Sequence, residues 1–167
     1  MIYRFRIILD TKQDVIRDIE IDETNTMEDF HNAITQAYGF RGQEMASFYI
    51  SDNEWAQGEE ISLFDMSEGP DSVRIMSENI LKDVVSETQT KLIYLYDFLN
   101  MWTFMVELAE IVEPKIGRIY PNLMFAFGDI PDEAPEKDFV AEGEDTSLDD
   151  DLDPEDYDNL DFDENWN

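Results

Sequence analysis

Residues 3–9 are rich in β-formers (Tyr3, Phe5, Ile7, Ile8), although they alternate poorly. Residues 15–21 alternate well, with Val15, Ile19 and Ile21 set against Arg17, Asp18 and Glu20. The stretch between them, Asp10-Thr11-Lys12-Gln13-Asp14, is turn-like, so the two segments predict an antiparallel hairpin. The period then changes. Met27, Phe30, Ile34, Ala37 and Tyr38 recur at spacings of three and four, which predicts a helix. Thr26 can cap its start, with Asp29 as a variant capping-box partner, and Gly39 stands where a C-cap glycine belongs.

Beyond the helix the pattern returns to strands. Residues 45–50 form one, with Phe48 and Ile50 on one face, and residues 51–58 read as a loop carrying Trp55. Short apolar runs follow at 61–64 and 73–76, and Ile80, Leu81, Val84 and Val85 mark a short helix. Residues 91–96 predict a strand and 97–101 a connection. Residues 102–111 form a longer strand, with Trp102, Phe104, Val106 and Leu108 facing one way and Thr103, Met105, Glu107 and Ala109 the other. A last strand falls at 122–127. This order predicts an α+β fold with a mostly antiparallel sheet, and a helix crossing an N-terminal hairpin fits a β-grasp-like core.

Charge divides the chain. Of 167 residues, 41 are acidic and 11 basic, for a net charge of -30. Residues 132–167 hold 17 acidic residues and one basic residue, Lys137, for a net of -16, leaving -14 for residues 1–131. Pro131, Pro135 and the loss of apolar period beyond Val140 place a boundary near residue 131. The expected organisation is a folded domain, 1–131, and an acidic, disordered tail, 132–167. A surface this acidic repels duplex nucleic acid and anionic membrane, because affinity for phosphates comes from Lys and Arg. With 43% hydrophobic residues and 21 aromatic ones, the chain is too apolar to be disordered throughout. Cysteine is absent, which excludes disulfides, thiolate metal sites and Cys nucleophiles. No stretch approaches the roughly 20 apolar residues of a membrane span, and the apolar run at the N-terminus is too short for a signal peptide. A soluble, cytoplasmic protein is expected.

Two segments resemble a known family. Asp29-Phe30-His31-Asn32-Ala33-Ile34-Thr35-Gln36-Ala37-Tyr38-Gly39-Phe40 resembles the "LHxxIQxAFGW" signature of the plasmid pRi ORF-three-like family, and residues 92–102 resemble its "YxYDFGDxW" signature. Tyr120-Pro121 and then Ala134-Pro135 resemble its later "YP…P" region. The resemblance covers residues 1–131 and implies an α+β fold. It implies no established activity, although some members carry transposon-passenger or resolvase labels. Where the family has Gly-Asp this chain has Leu99-Asn100, and where it often has His it has Thr103-Phe104. Half of any polar site built on that Asp and His is therefore replaced.

The candidate chemistry is sparse. His31 is the only histidine and borders the helix's apolar stripe. It reads either as a ligand or general base, or as a core-edge histidine bonded to backbone or carboxylate. Asp97 and Asn100 flank an apolar turn beside Trp102. They read either as a polar pocket accepting hydrogen bonds from a ligand, or as an Asp capping its own turn. A combined reading has Asp97 meet His31 and order the helix against the strands. His31, Asp97, Asn100 and Trp102 are thus a candidate polar pocket. A serine recombinase needs an activated Ser among clustered arginines, and only Arg4 and Arg6 alternate on one strand, where they could face solvent. No phosphate-binding glycine loop or nucleophile elbow occurs. No catalytic residue, cofactor or metal site is expected. The half-loop at residues 149–156 lacks the glycine and closing glutamate of a calcium site.

Within the tail, Leu148, Leu152, Tyr157, Leu160, Phe162 and Trp166 lie among acids. Such stretches dock on basic, hydrophobic partners and fold there, or serve only as a solvating tail. The sequence therefore predicts a non-enzymatic protein-interaction module whose acidic tail engages a basic protein, with no direct contact to nucleic acid or membrane. The alternative is a nucleic-acid mimic or regulator acting on a DNA-associated protein of a mobile element.

Overall fold

A computed structural model describes residues 1–64 and 74–131. All its elements belong to the unit Met1–Pro135. The tail residues singled out above lie outside the described residues.

Strands β1 (Ile2–Leu9) and β2 (Ile16–Asp22) form the expected antiparallel hairpin, with Arg4 opposite Glu20 and Arg6 opposite Asp18. Helix α1 (Met27–Tyr38) follows. The Thr26 side chain accepts the Asp29 amide at 3.0 Å, and the Asp29 carboxylate accepts the Thr26 amide at 3.0 Å, a reciprocal capping box. Gly39 ends the helix at φ 83°, a left-handed conformation that costs a residue with a Cβ strain. Then come β3 (Ala46–Ser51), β4 (Gln57–Ser62), β5 (Arg74–Ile75), a single 3₁₀ turn (Met76–Glu78) and the four-residue helix α2 (Leu81–Val84). Strands β6 (Lys91–Tyr96), β7 (Trp102–Val112) and β8 (Asn122–Phe127) complete the sheet.

The eight strands lie in the order β5-β4-β3-β6-β7-β1-β2-β8. Every pairing is antiparallel except the short β4–β5 pair at one edge. The β-grasp expectation needs correction at the centre. That core sets the first strand parallel to and in contact with an inner partner. Here β1 is antiparallel to both its neighbours, β2 and β7. Since β7 is also antiparallel to β6, strand β6 runs in the same sense as β1, with β7 inserted between them. The long hairpin of β6 and β7 is what widens the sheet. Strand β4 also departs from expectation, because Gln57 and Gly58, read as the end of a loop, open this strand, with Gln57 paired to Ser51 of β3. A Cβ on Gly58 would lie 2.5 Å from the Ile50 carbonyl oxygen, so only glycine lets the two backbones approach there.

Helix α1 packs on one face of this sheet. Phe30 lies 4.3 Å from Phe5 of β1 and 5.5 Å from Phe48 of β3, ring centre to ring centre. Tyr38 lies 4.8 Å from Phe104 of β7 and donates its hydroxyl to the Ile7 carbonyl at 2.9 Å. Each such side chain contributes about 1.5–3 kcal/mol by leaving water. Among the described residues, no helix is long and apolar enough to cross a membrane.

Candidate functional site

His31 is 1% exposed, on the face of α1 that covers the sheet. Its Nδ1 shares a 2.6 Å hydrogen bond with the Tyr94 hydroxyl of β6. Burial pushes the imidazole down to about 4, so the ring is neutral at neutral pH, and burial likewise pushes the Tyr94 hydroxyl well up. The ring continues into an aromatic row. Tyr96 lies 6.4 Å from His31, Phe40 lies 4.7 Å from Tyr96, and Trp102 lies 5.2 Å from Phe40. His31 and Trp102 are therefore members of one packed row.

Asp97 and Asn100 lie on the tight β6–β7 turn, with Asp97 at φ 64°. The Asp97 carboxylate accepts the Leu99 amide at 3.2 Å and the Asn100 side-chain amide at 2.6 Å. Its backbone carbonyl accepts the Met101 amide at 2.6 Å. These bonds satisfy the turn locally, as short polar side chains do in such conformations. The partner of His31 is accordingly Tyr94 rather than Asp97, because the Asp97 carboxylate faces its own loop. Among the described residues no three His, Asp or Glu side chains gather where they could hold a metal ion.

The opposite face of the sheet carries the strongest charge cluster. Glu20 is a β2 side chain only 1% exposed. It accepts Arg4 Nε at 2.8 Å, Arg118 Nη1 at 2.9 Å and the Asn122 side-chain amide at 3.0 Å. Burial alone would push its carboxyl up, but the hydrogen bonds from Asn122, Arg4 and Arg118 together hold it below its usual value. Arg4 also bonds Glu110 at 2.7 Å, and Arg6 grips Asp18 through two bonds at 2.9 and 2.8 Å. A bulge between Arg4 and Phe5 in the β1–β7 ladder shifts the alternation of β7 and brings Glu110 opposite Arg4. The cluster ties β1, β2, β7 and the start of β8 together. Arg4 and Arg6 are thus paired with acids, and no free arginine pair remains on β1 to take a phosphate.

Strand β8 ends the sheet. It bonds to β2 alone, and among the described residues no strand covers its other side. Its sequence, Asn-Leu-Met-Phe-Ala-Phe, carries no charge. Leu123, Met124, Phe125 and Phe127 are 46%, 43%, 44% and 54% exposed. A bulge between Asp18 and Ile19 in the β2–β8 ladder divides them between faces. Phe125 stands beside Arg6, whose guanidinium lies 5.9 Å from the ring centre, on the charged face. Leu123 falls on the helix face. There it borders an open cleft of about 430 Å³ between β8 and α1, shared with Ile19, Asn32, Ala33, Gln36 and Asn122. Asp29 also lines the cleft, but its carboxylate is engaged by Thr26 and by the Asn25 side-chain amide at 2.9 Å. Gly128 closes the strand at φ 84°, where a Cβ would lie 2.2 Å from the Asp14 carbonyl oxygen. That close approach fixes how the chain leaves β8.

The cleft and the Glu20 cluster were not found by sequence reasoning. The cluster had a local signal, since hairpin register places Arg4 opposite Glu20 and Arg6 opposite Asp18. The cleft had none, because its two walls, α1 and β8, are far apart in sequence.

Comparison with known proteins places the chain without assigning it an activity. The protein of unknown function MM3350 from Methanosarcina mazei Go1 has a crystal structure that superposes with a TM-score of 0.65 at 22% identity, covering 75% of this chain and 68% of that one. That likeness shows the fold alone. No curated protein matches the sequence. The sequence pattern of the plasmid pRiA4b ORF-3-like proteins matches residues 1–166, spanning both signature segments, and the chain belongs to that family.

Proposed function

We propose that the chain is a non-enzymatic protein-interaction module, acting in the cytoplasm, whose partner is a basic protein. The observation that carries this reading is β8, an uncharged strand at the end of the sheet among the described residues, with four large apolar side chains near half exposed. Exposed apolar edge strands are hazards that proteins blunt with charge or proline, and one left unblunted suits a surface kept for a partner. The net charge of -30 selects the sign of that partner. The acidic stretch 132–167, with Leu148, Leu152, Tyr157, Leu160, Phe162 and Trp166, is a second arm for the same class of partner. The Nδ1 of buried His31 is taken up by Tyr94 and the carboxylate of Asp97 by its own turn, which favours binding over catalysis.

Affinity capture with the full chain, with a chain lacking residues 132–167, and with a Leu123→Lys, Phe125→Lys variant tests the reading. Basic proteins retained by the full chain, released by salt and weakened in both altered chains, are expected. Retention that neither alteration changes would overturn it. If the retained proteins bind DNA and duplex DNA displaces them, the acidic surface acts as a mimic of phosphate charge.

A further inference from the structure

We infer that β8 takes an extended, basic segment of the partner as an added strand, laid along the edge that no strand covers among the described residues, beside the cleft against α1. This inference rests on the interaction reading above and names the mode and the chemistry of the partner.

An edge strand leaves alternate backbone N–H and C=O groups without ladder partners. Adding a strand satisfies them, and specificity then comes from alternate side chains of the incoming segment. On β8 the two sides of such a segment meet different surroundings. On the helix side lies the 430 Å³ cleft, apolar at Ile19, Ala33 and Leu123 and bordered by Asn32 and Gln36 of α1. Asn32 and Gln36 are exposed on α1, so the wall of the cleft is accessible. Across the sheet lie Phe125 and Phe127, with Asp18 opposite Phe125 in the β2 ladder. Arg6 already stacks toward the Phe125 ring from β1, and a cation on an added strand could approach from the other side. The arrangement selects apolar residues toward α1 alternating with Lys or Arg toward Phe125.

A second copy of the chain could in principle pair β8 with β8. Two chains each carrying -30 repel, whereas a basic segment is drawn in, so charge favours the heterologous segment.

The test measures fluorescence anisotropy of two labelled peptides against the full chain. Each has about ten residues; one alternates Lys with Val and the other has the same sequence with every backbone amide N-methylated. They carry equal charge, but the second has no backbone N–H to donate to a ladder. The expected result is that the Lys–Val peptide binds at least about tenfold tighter, a difference of roughly 1.4 kcal/mol. Leu123→Lys, and separately the surface pair Asn32→Arg, Gln36→Arg on α1, should each abolish most of that advantage while melting as the parent does. Equal binding of both peptides would overturn strand addition and leave the basic-partner reading standing. Failure of both peptides to bind would overturn both. A dimer in sedimentation that Leu123→Lys dissociates would overturn the heterologous segment in favour of a second copy.

Discussion

Strands β7 and β8 are both apolar in sequence, yet they do opposite things. Trp102, Phe104, Val106 and Leu108 of β7 are buried between β6 and β1 beneath α1. Leu123, Met124, Phe125 and Phe127 of β8 stand near half exposed, with one neighbouring strand instead of two among the described residues. Strand β7 carries Glu107 and Glu110 where β8 carries no charge, so it is the number of neighbours rather than composition that buries β7. An apolar strand in the middle of a sheet is core, and one at the end of a sheet is a surface available to something else.

The sharpest contrast is in stability. Phe104→Ala should cost about 3–5 kcal/mol, by lost transfer energy and the cavity left among Tyr38, Phe40 and Tyr94. Phe125→Ala should cost less than about 1 kcal/mol, because that ring is 44% exposed. Urea denaturation of the two variants measures both. Similar losses would break the distinction between core and docking strand.

Next in size is a pH effect on the core side. In the unfolded chain His31 takes a proton below its ordinary 6.5, whereas the folded chain resists until about 4. Stability due to this group is therefore complete above pH 6.5 and falls as pH drops toward 4, by up to about 3 kcal/mol. In His31→Gln, which keeps a polar atom near Tyr94, that portion of the pH dependence should disappear. The carboxylates are common to both proteins and cancel in the difference between the two melting profiles. Parallel profiles between pH 7 and 4 would mean that the histidine is not buried neutral.

The third contrast bears on how β8 is held to the sheet. Glu20→Ala strips the buried acceptor from Arg4, Arg118 and Asn122. It should cost roughly 2–3 kcal/mol, less than the ~3–5 of a fully buried pair, since both arginines are partly exposed. Amide exchange should rise first in residues 118–127 and least in β7. An equal rise in both strands would mean that the cluster braces the whole sheet rather than the β8 end.

The hairpin, α1 and the strands β6 and β7 were legible because their signals are local. Thr26 and Asp29 cap the helix, Gly39 stops it, and Trp102 to Leu108 alternate without interruption. Strand β4 was not legible, because Gln57-Gly58-Glu59-Glu60 is polar and becomes a strand by pairing with β3. The insertion of β7 beside β1 was hidden for the same reason, since it joins segments from opposite ends of the domain. Of the candidate site, the sequence offered the self-capping turn of Asp97 as one of two readings but did not name the partner of His31. Tyr94 reaches His31 from a different strand, while the turn of Asp97 is closed within five residues.

The central claim is that β8 is the strand this protein offers to a partner, and residue-resolved amide hydrogen exchange of the full chain with and without the alternating Lys–Val peptide tests it most directly. The account predicts slowed exchange within Asn122–Phe127 on addition of the peptide, with β7 unchanged. Unchanged exchange in β8, or slowing confined to other strands, would contradict it.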